Sequence, residues 1–307
     1  MGSEGVESIA LAIARAFDDK GTMAAAGIRG LVLDFDGTLT DADAMFDAFD
    51  RALRSRLATA VGVSIDDVWR SIAATIDAEA GWEIDGRIVA PALGDPYLRA
   101  TWIARRVLPI AAPALDSEAR RALLSREYSA AYAEEPPRFR PDAASVVRAA
   151  CALVDRVFVV TNSPAAAVRD KLAAIDLHVS NALEVIGDAR KFDITEDTSP
   201  ALDRAAFEAL ASTRSIAGLA RPIQLRRGRY LAALDRVARS VRCRFDELLV
   251  CGDIFELDLA LPAALGAAIQ LVTRSSTLAH ERVAARAVHR GDADDRLAAV
   301  IARISTR

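Results

Sequence analysis

The chain has 307 residues, 52% of them hydrophobic and 27% charged, with a formal net charge of -4. That is enough apolar material for one large domain or a core with a smaller companion, and it excludes intrinsic disorder. There is no global basic field for nucleic acid and no apolar run of the ~18 residues that a membrane-crossing helix needs, so neither is expected as a partner.

Cys151, Cys243 and Cys251 are odd in number and widely spaced. That argues against a disulfide framework or a cysteine zinc site and points to a reducing, cytoplasmic setting. Only three of the 39 basic residues are lysine: Lys20, Lys171 and Lys191. Chemistry that needs an ammonium group therefore has three candidates. Near the N-terminus, Val6 to Phe17 is apolar, but Glu4 and Glu7 occupy the place where a signal peptide carries basic residues. A one-faced helix within an N-terminal extension of residues 1–27 fits better.

In chain order, the first apolar run is Gly30–Phe35, near-continuous as a strand covered on both faces should be. Roughly 120 residues then pass before the next run, far more than one crossover helix occupies. This stretch reads as helical over Asp43–Val61, Ser64–Ala80, Leu98–Leu108 and Ser117–Ala133. Met45, Phe46, Phe49, Leu53 and Leu57 recur in it close to a 3.6 period. Gly94-Asp95-Pro96 and Glu135-Pro136-Pro137 read as joints, and Gly81–Arg87 as a loop between helices. Trp82, Arg87, Tyr97, Arg99, Trp102 and Arg105 cluster here and read as core or interface rather than as a substrate site.

Further runs follow at Arg156–Thr161, Leu183–Ile186, Leu248–Cys251 and Ala268–Val272, interleaved with helical patterns at Ser163–Ile175, Gly228–Val241 and Leu257–Leu265. A second insertion is placed between Phe192 and Pro222, with Ala201–Ala211 helical, and a terminal helix over Asp292–Ile304. Strands alternating with helices imply a doubly wound parallel α/β sheet. The expected domains are a core of residues 28–41 and 150–307 and an inserted α-helical domain of residues 42–149.

Ligands in such sheets bind beyond the carboxyl ends of the strands. The first run ends in Asp34-Phe-Asp36-Gly37-Thr38, with Asp34 and Asp36 on one side of the strand and Gly37 permitting a sharp turn. Paired carboxylates at a strand tip are costly without a compensating charge. The fourth run ends in Gly252-Asp253, with Glu256 and Asp258 just beyond. Carboxylates converging without Cys or His describe a hard-cation site, best suited to Mg²⁺. The second run ends in Thr161-Asn162, a hydroxyl and an amide suited to a phosphate-like oxygen.

These residues resemble the haloacid dehalogenase (HAD) superfamily. DFDGT matches its D-x-D-G-T pattern in full, and GDIFELD matches G-D-x(4)-D through Asp253 and Asp258. Thr161-Asn162 matches a looser second motif. The resemblance covers residues 28–41 and 150–275 and implies a HAD-like, Rossmann-like core with a helical cap of the type-one position.

By that resemblance Asp34 would be the nucleophile and form an aspartyl-phosphate, and Asp36 the general acid and then base. Asp34, Asp36 through its carbonyl, Asp253 and Asp258 would hold Mg²⁺, with Asp258 acting through water. Thr161, Asn162, Arg227 and the backbone amides after Asp36, at Gly37 and Thr38, would bind phosphoryl oxygens.

The basic third-motif residue is split between two cues. Lys191 follows Thr161 at about the family distance, while Arg226 and Arg227 precede the helix leading to the fourth motif. Lys191 is favoured because the chain almost never uses lysine elsewhere. Glu256 reads as a surface carboxylate, and Asp41 and Asp43 as hinge or helix-cap residues. The activity implied is Mg²⁺-dependent hydrolysis of a small phosphorylated metabolite. A phosphomutase and a non-catalytic phospho-ligand-binding module are the alternatives, and nothing in the sequence sets the oligomeric state.

Overall fold

The structure, a computed structural model, describes residues 27–77, 81–84, 86–91, 94–134, 136–195 and 204–305. The Val6–Phe17 helix and parts of the expected helices at Ser64–Ala80 and Ala201–Ala211 fall outside them. The strands are β1 (Gly30–Leu33), β2 (Trp82–Ile84), β3 (Arg87–Ala90), β4 (Arg156–Val160), β5 (Leu183–Ile186), β6 (Thr213–Arg214), β7 (Ile223–Gln224), β8 (Leu248–Gly252), β9 (Ala268–Val272) and β10 (Gly291–Asp294). Among the described residues, no helix is long and apolar enough to cross a membrane.

Six strands form one sheet in the order β10-β9-β8-β1-β4-β5, and every neighbouring pair is parallel. The near-continuous apolar runs are explained by strand alternation. Val32, Phe158, Val160, Val250 and Ile269 face one core with Tyr230, Leu234 and Val237 of the helix Gly228–Val241. Leu31, Leu33, Val157, Val159 and Leu249 face the other, against the helices Ala143–Leu153, Ala165–Ala173 and Ala299–Ser305. A strand buried on both faces has no polar side to alternate with.

β1 lies between β4 and β8, where the winding reverses direction, and ligands of open α/β sheets bind beyond the strand ends at such a point. The chain leaves this unit after Asp41 and returns at Phe139. Thr40 forms an antiparallel bridge with Phe139, and Arg140 N–H donates to Leu39 O at 2.9 Å. The Arg140 guanidinium then donates to Gly37 O at 3.0 Å and Asp295 O at 3.1 Å.

The second compact unit is Ala42–Arg138. Its first helix, Ala42–Val61, buries Met45, Phe49, Leu53 and Leu57. Phe49 meets Tyr97 and Tyr128 edge-on, with ring centroids 4.8 Å and 5.1 Å apart. Trp82 and Tyr97 are buried, and Trp82 packs edge-on against Trp102.

Several boundaries differ from expectation, each for a local reason. The inserted unit ends at Arg138 rather than at 149, because Ala143–Leu153 turns Val146, Val147 and Ala150 into the sheet's core. The Gly81–Arg87 loop is part of a β2–β3 hairpin. The helix expected from Leu98 starts at Pro96, since Asp95 accepts from Tyr97 N and Leu98 N at 2.9 Å and 3.0 Å and proline suits the first turn. Asp292–Asp294, expected in the terminal helix, belongs to β10, an edge strand whose sequence GDAD carries no β-forming pattern.

Phe158 is fully buried in the central sheet. Phe158→Ala should cost about 3–5 kcal/mol by cavity formation, read as a lowered midpoint in chemical denaturation.

Candidate active site

The residues at the carboxyl ends of β1 and β8 meet as the topology requires. One carboxylate oxygen from each of Asp34, Asp253 and Asp258 lies within 4.8 Å of the others, and all three side chains are buried. Gly37 is what allows this approach. Its φ is +86°, and a Cβ there would stand 2.2 Å from Asp253 Oδ2.

Lys191 sits among the carboxylates. Its Nζ donates to Asp34 Oδ1 at 2.6 Å and to Asp258 Oδ1 at 2.9 Å, and lies 5.4 Å from the centre of the Tyr230 ring. Burial raises the Asp34 carboxyl well above the ordinary range; Lys191 opposes this, and Asp258 and Asp253 add to it. Burial works against the Lys191 charge, but Asp258 and Asp34 outweigh it and hold the ammonium above its usual range. Lys191, not Arg227, supplies this contact.

The Arg227 guanidinium is fully buried and donates to Lys191 O at 2.6 Å and Gln224 O at 3.1 Å. Arg226 turns to the carbonyls of Leu210 and Glu208. Asn162 Oδ1 accepts from Lys191 N–H at 2.8 Å.

Asp258 lies in a π-helical turn, Phe255–Leu259, where regular helix was expected from Leu257. Such turns recur at functional sites because the extra residue re-aims a side chain. Here Asp258 Oδ2 accepts from Ile254 N–H at 3.0 Å while Oδ1 holds Lys191. Tyr230 O–H donates to Asp258 O at 2.7 Å. Asp253 Oδ1 faces Thr38 Oγ1 at 3.4 Å, and its Oδ2 pairs with Arg274 Nε at 2.7 Å.

Asp36 is partly exposed, and its Oδ2 accepts from Ser163 Oγ at 2.7 Å. Thr161 Oγ1 in turn accepts from Ser163 N–H at 3.1 Å. The five residues from Asp34 to Thr38 thus carry one carboxylate held by a cation and one held by a hydroxyl.

The donor set fits a hard divalent cation. It is all oxygen, deeply buried and more negative than Lys191 and Arg274 together balance. Asp34 and Asp253 are the candidate direct ligands. Asp258 is tied by Lys191 Nζ and Ile254 N–H and Asp253 by Arg274 Nε and Thr38 Oγ1, so a cation would compete with protein donors at both.

Ser163, Tyr230, Arg274 and Glu281 were not singled out from the sequence. Arg274 could have been, since it follows the end of β9 by the same strand-end logic that found Asp253. Glu256, expected at the surface, is 1% exposed and takes a two-pronged ion pair from Arg221 at 2.9 Å and 2.7 Å.

A family model described as haloacid dehalogenase-like hydrolase matches residues 28–214, more than half of the chain. The chain belongs to the haloacid dehalogenase-like hydrolases. No curated protein matches the sequence. Among solved structures, a predicted phosphoglycolate phosphatase from Haemophilus somnus is similar at 13% identity and a TM-score of 0.51, covering 90% of this chain and 97% of that one. A 2-haloacid dehalogenase from Pseudomonas syringae is similar at 16% identity and 0.44, covering 80% and 86%. CbbY from Rhodobacter sphaeroides, in complex with xylulose-(1,5)bisphosphate, is similar at 13% identity and 0.47, covering 88% and 95%. At such identity the likeness to the first of these speaks for the fold, which is the HAD fold that the topology describes.

Two outcomes are expected. Gly37→Ala should lower stability by about 1–2 kcal/mol for its left-handed backbone alone, and it should weaken divalent-cation binding by displacing Asp253. Denaturation and calorimetric titration with Mg²⁺ read the two effects separately.

The second concerns Glu281, whose Oε1 accepts from Phe255 N–H at 3.0 Å. Burial pushes its carboxyl up to about 7 against the backbone donors of Phe255 and Leu278. The folded state then keeps a proton that the unfolded chain has lost, so this group's contribution to stability falls by roughly 3 kcal/mol as pH rises from 4.5 to about 7. Glu281→Gln should flatten that part of the stability–pH curve.

Proposed function

We propose that this HAD-family hydrolase is a Mg²⁺-dependent phosphatase that acts on a small phosphorylated metabolite through an aspartyl-phosphate on Asp34. The observation that carries this reading is the division of labour between two aspartates one residue apart. Asp34 is buried, which pushes its carboxyl well above the ordinary range, and the Lys191 ammonium at 2.6 Å works against that shift, toward the ionised, nucleophilic form. Asp36 is partly exposed and oriented by the Ser163 hydroxyl, where it can exchange a proton with a leaving group or a water. A site limited to displacing halide from carbon needs no proton donor for its leaving group. The presence of Asp36 therefore favours phosphoryl transfer.

An Asp34 oxygen attacks phosphorus while the ester oxygen departs and takes a proton from Asp36. Asp36 then removes a proton from water as it attacks phosphorus, which frees inorganic phosphate and restores Asp34. Thr161, Asn162 and the backbone amides of Gly37 and Thr38 are assigned to the phosphoryl oxygens, and Lys191 to neutralising both the phosphoryl group and the nucleophile. A bound Mg²⁺, held by Asp34, the Asp36 carbonyl and Asp253, would screen the repulsion between a carboxylate and an anionic phosphoryl group.

The experiment is hydrolysis of a generic aryl phosphate with Mg²⁺ and with EDTA. Wild type should turn over only with Mg²⁺. Asp34→Asn should lose turnover completely while keeping its melting temperature. Normal turnover by Asp34→Asn would refute the mechanism.

A further inference from the structure

Lys191 reaches two carboxylates on separate loops, yet it stands on a loop with little regular structure after β5. Its approach is strained: Asp188 and Arg190 both have left-handed backbones, with φ of 52° and 45°. Lysine also carries about 2 kcal/mol of side-chain rotamer entropy. Such an ammonium needs an anchored backbone to stay placed to a few tenths of an ångström.

The anchor is visible on both sides of the residue. Lys191 N–H donates to Asn162 Oδ1, and Lys191 O accepts from Arg227 Nη1 at 2.6 Å. A main-chain tie runs alongside, since Gly228 N–H donates to Thr195 O at 2.8 Å.

Arg227 is itself held. Its Nε donates to Gln224 O, and its Nη2 lies 3.8 Å from Glu256 Oε1. Arg221 grips both oxygens of the same Glu256. A wholly buried guanidinium is costly unless its donors are matched, and burial does pull Arg227 down to about 10, with Glu256 opposing. A planar fork presents donors at fixed, separated positions to two carbonyls and a carboxylate, whereas an ammonium offers its three donors from a single point.

Arg221 and Arg227 close the segment inserted between β5 and the helix Gly228–Val241, while Glu256 belongs to the same π-helical turn as Asp258. We propose that Arg227, braced by Glu256 and Arg221, is a positioning residue that fixes the Lys191 backbone and so sets where its ammonium meets Asp34 and Asp258. The insertion then has a task, which is to deliver this brace. The proposal rests on the role given to Lys191 above.

The chain's scarcity of lysine supplies the test. Selective ¹⁵N-lysine labelling gives signals from only three residues, and loss of one set in Lys191→Gln assigns Lys191. In Arg227→Gln, the Lys191 amide and ammonium signals should shift and broaden while those of Lys171 stay in place. Turnover of aryl phosphate should fall about 10- to 100-fold in kcat, as small misplacements of a reacting group do, with KM changed less than about threefold.

Arg227→Lys should not restore kcat. In a Lys191→Gln background, Arg227→Gln should cost nothing further, because a residue acting only through Lys191 has nothing left to position. Glu256→Gln, which keeps an acceptor but removes the charge, should show the same changes in weaker form and serves if Arg227→Gln fails to fold. Unchanged Lys191 signals, or additive losses in the double variant, would overturn the proposal. Wild-type turnover in Lys191→Gln would instead overturn the role of Lys191 in the phosphatase reading, and the labelling result would still decide whether Arg227 holds it.

Discussion

Three carboxylates buried within 4.8 Å of one another cannot all ionise without compensation. The ammonium of Lys191, shared between Asp34 and Asp258, is the compensation this fold supplies from its own sequence. Much of the surrounding construction makes that arrangement tolerable. The parallel sheet brings the ends of β1 and β8 side by side. The π-helical turn aims Asp258 back at Lys191. Tyr230 and Ile254 occupy the remaining polar groups of Asp258. Arg274 answers the third carboxylate, Asp253, from the end of β9. The electrostatic tension is therefore confined to the oxygens that a divalent cation and an anionic substrate would use.

Buried charge is layered outward from this point. Lys191 is backed by Arg227, Arg227 by Glu256, and Glu256 by Arg221, alternating in sign except at the first step, where Arg227 meets a carbonyl rather than a carboxylate. That exception is informative. A carboxylate behind Lys191 would draw the ammonium away from Asp34, whereas a guanidinium on the backbone carbonyl leaves the side chain free to face forward. Networks of this kind add rigidity only when every member is satisfied.

The five core strands read from the sequence are present, because a strand buried on both faces leaves a short, near-continuous apolar run. β10 was not legible, since GDAD has neither pattern nor propensity and pairs only because β9 offers an edge. The helix Ala143–Leu153 was not read as an element of its own, and only tertiary packing assigns it to the sheet rather than to the inserted unit. At the site, the aspartates were legible from their position at strand ends, and Lys191 from the rarity of lysine. The burial of Arg227 and Glu256 was not legible, for one reason. Charged residues are ordinarily solvated, and their burial here depends on one another across a separation in sequence that no local pattern encodes.

The bridge between Thr40 and Phe139 has a consequence for the history of such a chain. The inserted unit is entered and left through paired residues of the core, Thr40 and Phe139, so its two ends are held together by the core itself. With the ends tied, lengthening the excursion raises its loop-closure cost only slowly, by about 0.6 kcal/mol per doubling. Selection can therefore lengthen, shorten or exchange the Ala42–Arg138 segment while β1 keeps its register and Asp34 its place. A chain built on this plan can vary about a third of its length, the Ala42–Arg138 segment, while the rest stays tied to its charge arrangement.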